Sequence, residues 1–300
     1  MQHGLYSRQY RIHEIAPYIN WIYFYHAWGF APKFAAVETF GHCTACATSW
    51  IHAFPAEEQE KAREAVKLYR EAQHLLFLLD AEYTTRGNER LFSCNSRGND
   101  VILHTPEGTV ILPLLRQQSG EPPYLCLADF IRPEGQGTAD TIGLFATTVD
   151  AGMEQRFADD DFRHLLAQTL ADRLAEASAE VLHQEVRKSL WGYAPQEQLS
   201  LQQLHNEEFQ GIRPAVGYPS LPDISLNRLI LPLVDGDGMG IRLTDNAMMQ
   251  PHASVSGLML KHSQSRYFSV GKIGTDQFLD YAQRRGMTPD AMRPFLYANL

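Results

Sequence analysis

Residues 56–79, AEEQEKAREAVKLYREAQHLLFLL, set Ala62, Val66, Tyr69, Leu76 and Leu79 on one side of a 3.6-residue period, with charges opposite. That pattern predicts an amphipathic surface helix. Two β-branched runs around a Pro/Gly turn, VILH-TPEG-TVIL at 101–112, predict a hairpin. YLCLADFI (124–131) and TIGLFATTV (141–149) read as buried strands joined by a loop rich in proline and glycine. The longest helical pattern runs from about 157 to 190 on a stripe of Leu166, Leu170, Leu174 and Val181, with Gly192 placed to end it. APQEQLSLQQLHNEEF holds a shorter helix with Ser200 at its N-cap. LVDGDGMGIRL predicts two extended pieces around a glycine turn. SVSGLMLKH (254–262) and RYFSVGKI (266–273) predict strands, and TDQFLDYAQRRGM a closing helix from Thr275. Helical and extended signals interleave without repeat, linker or low-complexity segment. The expectation is one α+β unit over residues 1–300 with a mainly antiparallel sheet.

Composition narrows the function classes. The 300 residues are 44% hydrophobic and 20% charged, with a formal net charge of −9. An acidic chain without a Lys/Arg block is a poor ligand for nucleic acid or an anionic membrane. The N-terminal MQHGLYSRQYRIHE has no apolar core of a signal peptide, and YINWIYFYHAWGF is too short to span a bilayer. A cytoplasmic protein is expected.

Four cysteines make no disulfide framework. Cys43 and Cys46 form HCTAC, which suits a redox pair or half a zinc site. No second C-x-x-C or H-x3-H completes a zinc site, so two thiols in a packed turn weigh more, and no metal is expected. DGDG lacks the ligand spacing of a calcium loop, and its glycines miss the G-x-G-x-x-G pattern.

The segment GIRPAVGYPSLPD, 211–223, holds three prolines, two glycines, one arginine and one tyrosine in thirteen positions. Pro214, Pro219 and Pro222 restrict φ and remove donors. Gly217 permits positive φ, and with Ala215 it leaves little bulk to block a ligand. Arg213 projects from this stiff frame. A fixed guanidinium suits a carboxylate through two parallel hydrogen bonds, whether that carboxylate belongs to a ligand or to the chain itself. Tyr218 adds an aromatic wall with a polar tip. On the long helix, Asp172, Glu176 and Glu180 recur at i, i+4, i+8 with His183 further along. Such a row is commonly a solvated face, yet it would also suit the ammonium of an amino-acid-like ligand. Tyr267 and Phe268 lie on opposite faces of their segment, which would suit one to ligand and the other to the core, with core packing the default for both.

Taken in order, PYINW, LRQQ (115–118), CLADFIRP, DTIGLFATT, LADRLAEASAEVLHQEVRKSLWGYAP, GIRPAVGYPSLPD, IRLTDNAMMQPHASVSG, RYFSVGKIGTDQ and DYAQRRGM resemble the reactivation domain of cobalamin-dependent methionine synthase, from about Ile15 to Leu296. The resemblance implies a curved α+β fold around a twisted antiparallel sheet, with S-adenosylmethionine in a shallow groove beside the R-P-A-x-G-Y loop. It implies that Arg213 holds the ligand carboxylate, with Ala215, Gly217, Tyr218, Glu176 and Tyr267 around it. It further implies a methyl transfer to cobalamin carried by a separate methionine synthase core chain, re-reduced by a flavodoxin-like or other electron donor. The cofactors carry that chemistry, so no catalytic acid, base or nucleophile is expected. Where the family carries aspartate in the PYIDW-like stretch, this chain has Asn20. An amide there brings no charge to the ligand ammonium, and binding weaker by about 1 kcal/mol is expected. The alternative is a non-catalytic S-adenosylmethionine sensor or assembly subunit. An unrelated redox protein built on HCTAC is more distant.

Overall fold

The computed structural model describes residues 4–300. Its main sheet has six strands: β1 (Tyr6–Arg11), β2 (Thr84–Arg97), β3 (Asp100–Thr105), β4 (Gly108–Pro113), β5 (Asp140–Val149) and β6 (Ser254–Met259). The path is β4-β3-β2-β5-β6, with β1 on β2, and every pairing is antiparallel. The 14-residue β2 takes β1 and β3 end to end along one edge and β5 along the other. The α+β class and antiparallel sheet expected from the sequence are therefore present.

The helices that matter for the site are α1 (Trp21–Ala27), α2 (Thr44–His52), α3 (Gln59–Glu82), α4 (Asp161–Glu185), α5 (Asn227–Leu233) and α6 (Thr275–Arg284). The five apolar residues predicted to share a face of α3 are all buried. Helix α4 crosses one face of the sheet. The Thr147 hydroxyl donates to the Ala175 carbonyl at 2.9 Å, and the Ser178 hydroxyl donates to Thr85 at 2.7 Å. Helix α5 covers the opposite face, where the Asn88 amide donates to the Val234 carbonyl at 2.8 Å. Asp160 caps the start of α4. A single π-turn, 186–190, prolongs the helix to Trp191, and Gly192 ends it at φ +68°.

Three predicted elements fold differently. Residues 124–131 form no strand. Leu127–Phe130 is a 3-10 turn, because Asp129 accepts the Cys126 amide at 2.9 Å and is gripped by Arg116. A local side-chain cap outcompetes the ladder there. Residues 266–273 stay outside the sheet, since their amides bond elsewhere: Phe268 to the Ser220 hydroxyl, Val270 to the Pro219 carbonyl and Ile273 to the Asn299 carbonyl. The first piece of LVDGDGMGIRL ends helix α5 rather than a strand, and only Arg242–Leu243 is extended, paired with Met249–Gln250.

Candidate functional site: a groove along the proline loop

The stiff loop lies along the free edge of β6. Ile212 and Leu260 exchange backbone hydrogen bonds at 2.9 and 3.0 Å. Val216 donates to Ser256 at 2.9 Å, and Leu258 donates to Pro214 at 3.0 Å. The prolines, which cannot serve a central strand, here close a sheet edge. Gly257 makes this approach possible: a Cβ there would stand 2.3 Å from the Pro214 oxygen and 2.9 Å from the Ala215 Cα. That contact brings the R-P-A-V-G-Y and ASVSG stretches together in space. Gly217 turns the chain at φ +89°, bonding to the Leu221 carbonyl at 2.8 Å.

Between this loop, α4 and α1 runs an open groove of about 720 Å³, lined by Arg213, Pro214, Ala215 and Tyr218 of the loop, Arg173 and Glu176 of α4, Tyr23 and His26 of α1, and Tyr267. Such a volume falls in the range of roughly 300–1,000 Å³ of small-molecule sites. Arg213, Ala215, Tyr218, Glu176 and Tyr267 thus come together. Gly217 lies just behind, in an adjoining cavity of about 350 Å³ that shares Arg173, Glu176 and Tyr218 as its wall. Asn20 stands apart. It lines a different cavity, and its side-chain oxygen accepts the Ile22 amide at 3.1 Å as the N-cap of α1. The groove is entered from the next turn of that helix, by Tyr23 and His26.

Of the two partners that the sequence left open for Arg213, the structure supplies the chain's own carboxylate. The Arg213 side chain is 17% exposed at the groove wall, and its guanidinium donates to Glu180 at 3.0 Å. A second N–H donates to Nδ1 of His183 at 3.1 Å. His183 is fully buried. Burial, then the charges of Arg187 and Arg213, hold its pKa well below the ordinary value, so the ring is neutral. With Nδ1 accepting, the proton sits on Nε2, facing the Tyr193 hydroxyl at 3.4 Å. Burial works against the Arg213 charge, but the Glu180 carboxylate and Tyr267 outweigh it and hold the group above its usual pKa. The bonds to Glu180 and His183 use two of five donors, leaving three without an acceptor among the described residues. The Tyr267 hydroxyl accepts the Arg213 amide at 2.9 Å, which fixes the backbone that aims the side chain.

Behind Glu180 lies a second arginine. Arg187, with no exposed surface, forms a fork to Glu197 at 2.7 and 2.8 Å and stacks 4.1 Å over Phe209. Its remaining nitrogen stands 4.0 Å from Glu180. The row of acids on α4 is therefore not one solvated face. Glu180 and His183 are buried, while Glu176 sits at the rim, accepting from the Tyr218 hydroxyl and from Arg173 at 2.7 Å each. Asp172 lies further out, paired with His252 at 3.3 Å. Glu207 lines the groove with its pKa raised by burial. Tyr23, His26 and Glu207 escaped the sequence reading. Tyr23 is 58% exposed, which its place inside an apolar run does not signal.

No group of three metal-ligating side chains occurs among the described residues, and none of their helices is long and apolar enough to cross a membrane.

Residues 11–286 match the protein family described as vitamin B12 dependent methionine synthase, activation domain. Among solved structures the chain is similar to the MetH reactivation domain bound to AdoHcy. The match has 34% identity and a TM-score of 0.85 and covers all of this chain and 91% of that one.

Proposed function

The chain belongs to the vitamin B12 dependent methionine synthase activation-domain family, and from that premise we propose that its groove binds S-adenosylmethionine and presents the sulfonium methyl to a cobalamin held by a separate methionine synthase chain. The observation that carries the reading is Arg213 at the wall of an open groove, with donors to spare, on a loop that docking has made rigid. The neighbour of known structure holds AdoHcy, the demethylated product of the same donor.

The residues fit such a ligand. Arg213 receives the carboxylate in a charge-assisted pair. Glu176 and Glu207 supply negative charge for the ammonium and sulfonium ends. Tyr218, Tyr23 and Tyr267 offer flat walls for an adenine. Nothing here donates or removes a proton from a reacting atom. A cobalamin on the partner chain would supply the methyl acceptor, a flavodoxin-like or other donor would supply the one electron needed to reduce it, and S-adenosylmethionine would leave as S-adenosylhomocysteine. This chain contributes position. We read residues 1–300 as one such unit acting in the cytoplasm, without nucleic acid or membrane.

Two measurements test the reading. Calorimetry should show one-to-one binding of S-adenosylmethionine and S-adenosylhomocysteine, and absence of both would refute it. Mixed with a cobalamin-bearing core, reductant and S-adenosylmethionine, the chain should generate the methylcobalamin absorbance. Binding without that turnover would instead identify a sensor or assembly subunit.

A further inference from the structure

The HCTAC motif plays no part in the groove, yet its geometry is specific. Cys43 is the N-cap of α2, a nine-residue helix, and its sulfur accepts the Cys46 amide at 3.2 Å. Both cysteines are solvent-exposed and free. The two thiols stand on the same first turn, held by the backbone bond from Cys46 to the Cys43 sulfur. His42 turns away to Tyr69, its ring nitrogen 3.4 Å from the tyrosine hydroxyl, so the pair has no histidine beside it to begin a zinc site.

We propose that Cys43 and Cys46 form a redox-active dithiol, in which Cys43 attacks low-molecular-weight disulfides and Cys46 resolves the adduct to an intramolecular disulfide. A thiolate at the first turn of a helix is stabilised by the amides pointing at it and by the positive end of the helix dipole. The two thiols are unequal in the required sense. The neighbouring Cys46 thiol, then the Cys46 and Ala45 amides, lower the Cys43 pKa, while the proximity of Cys43 raises that of Cys46. The other two cysteines are the contrast. Cys94 and Cys126 are buried, and burial pushes both thiols up, Cys126 to about 11.

With glutathione disulfide the steps balance. The Cys43 thiolate attacks one sulfur, forming a mixed disulfide and expelling a glutathione thiolate, which takes a proton. Cys46 then loses its proton and attacks the Cys43 sulfur. The protein disulfide forms and the second glutathione leaves. The protein has lost two hydrogens, and one glutathione disulfide has become two glutathione thiols.

The test is intact-protein mass spectrometry with alkylation of the folded chain in glutathione disulfide. The wild type should lose two alkylatable thiols together, at Cys43 and Cys46, with no retained glutathione. Cys46→Ser should stop at a single glutathione adduct on Cys43. Cys43→Ser, whose serine still caps the helix, should react at least tenfold more slowly at Cys46. Circular dichroism confirms that each variant folds. Retention of all four free thiols by the wild type, equal reaction rates for the two single variants, or purified protein carrying zinc on the pair would each overturn the assignment. None of these readouts depends on the groove, so they stand or fall separately from S-adenosylmethionine binding.

Discussion

Helix α4 buries ionisable side chains on two sides, and the two sides handle them in opposite ways. Toward the groove, Arg213, Glu180, Arg187 and Glu197 form an alternating run of charges in which each has a counterion within 4.0 Å. Toward the sheet, Glu89 of β2 is 2% exposed and has no ion-pair partner among the described residues. An oxygen without a hydrogen bond does not set it apart, since Glu180 Oε1 and one Arg187 nitrogen lack one too. It shares its face of β2 with Thr85, which bonds to Ser178 of α4, and with Gly87, which approaches Leu182. Burial alone raises its pKa to about 8. The interior thus holds a set of charges on one side and a protonated acid on the other. What differs is the supply of counterions. A charge that must face a ligand is kept in the interior by pairing it from behind, and Glu180 does this for Arg213.

The contrast is broken most strongly at Glu89. Its ordinary pKa is 4.5, and the folded value is about 8. Between these the unfolded chain has released a proton that the folded chain keeps, so stability is greatest below about 4.5 and is lost as pH rises through 8. The loss reaches up to about 5 kcal/mol. Glu89→Gln should remove that slope, seen as urea midpoints that no longer fall between pH 5 and 8.5. An unchanged slope would show that Glu89 ionises freely.

Next in size is Arg213→Ala. Removing the guanidinium takes away the ligand carboxylate's partner and strands Glu180 in the interior. S-adenosylhomocysteine binding should weaken by about 2–3 kcal/mol, roughly 30- to 150-fold by calorimetry. Arg213→Lys should recover only part of this, because an ammonium cannot form the fork. Binding by Arg213→Ala at parental affinity would sink the site assignment.

Glu180→Gln sharpens the comparison from behind. The amide still accepts from Arg213 but no longer neutralises it, so the cluster gains one positive charge. Affinity for the carboxylate-bearing ligand should rise by roughly three- to tenfold, with some loss of thermal stability. A fall in affinity would mean that Glu180 chiefly holds Arg213 in place.

The smallest effect is expected at Asn20→Asp. The substituted side chain keeps its cap on the Ile22 amide, outside the groove, so affinity should stay within about twofold. A gain near 1 kcal/mol, as the family's aspartate implies, would show that this side chain leaves its cap and reaches the ligand.

Much of the fold was legible because it is written in local periods. The buried stripe of α3, the β3–β4 hairpin around Pro106-Glu107 and the Ser200 cap each depend on residues close in the chain. The site was half legible. A proline-rich frame around Arg213 and Tyr218 identifies itself, because stiffness is a local property. The stretch 266–273 misled, because its alternation suits any extended segment and does not say which edge it will meet.

By itself, then, the amino-acid sequence determined the helices and strands whose faces repeat, the rigidity of the loop and the family to which its motifs belong. Only the tertiary structure decided that Glu180 rather than Glu176 would neutralise Arg213, that Gly257 would admit the loop to the edge of β6, and that Asn20 would cap a helix outside the groove. The reason is physical. A side chain's period along the chain sets the direction in which it points, whereas the partner it meets there comes from another part of the chain and depends on how the elements pack.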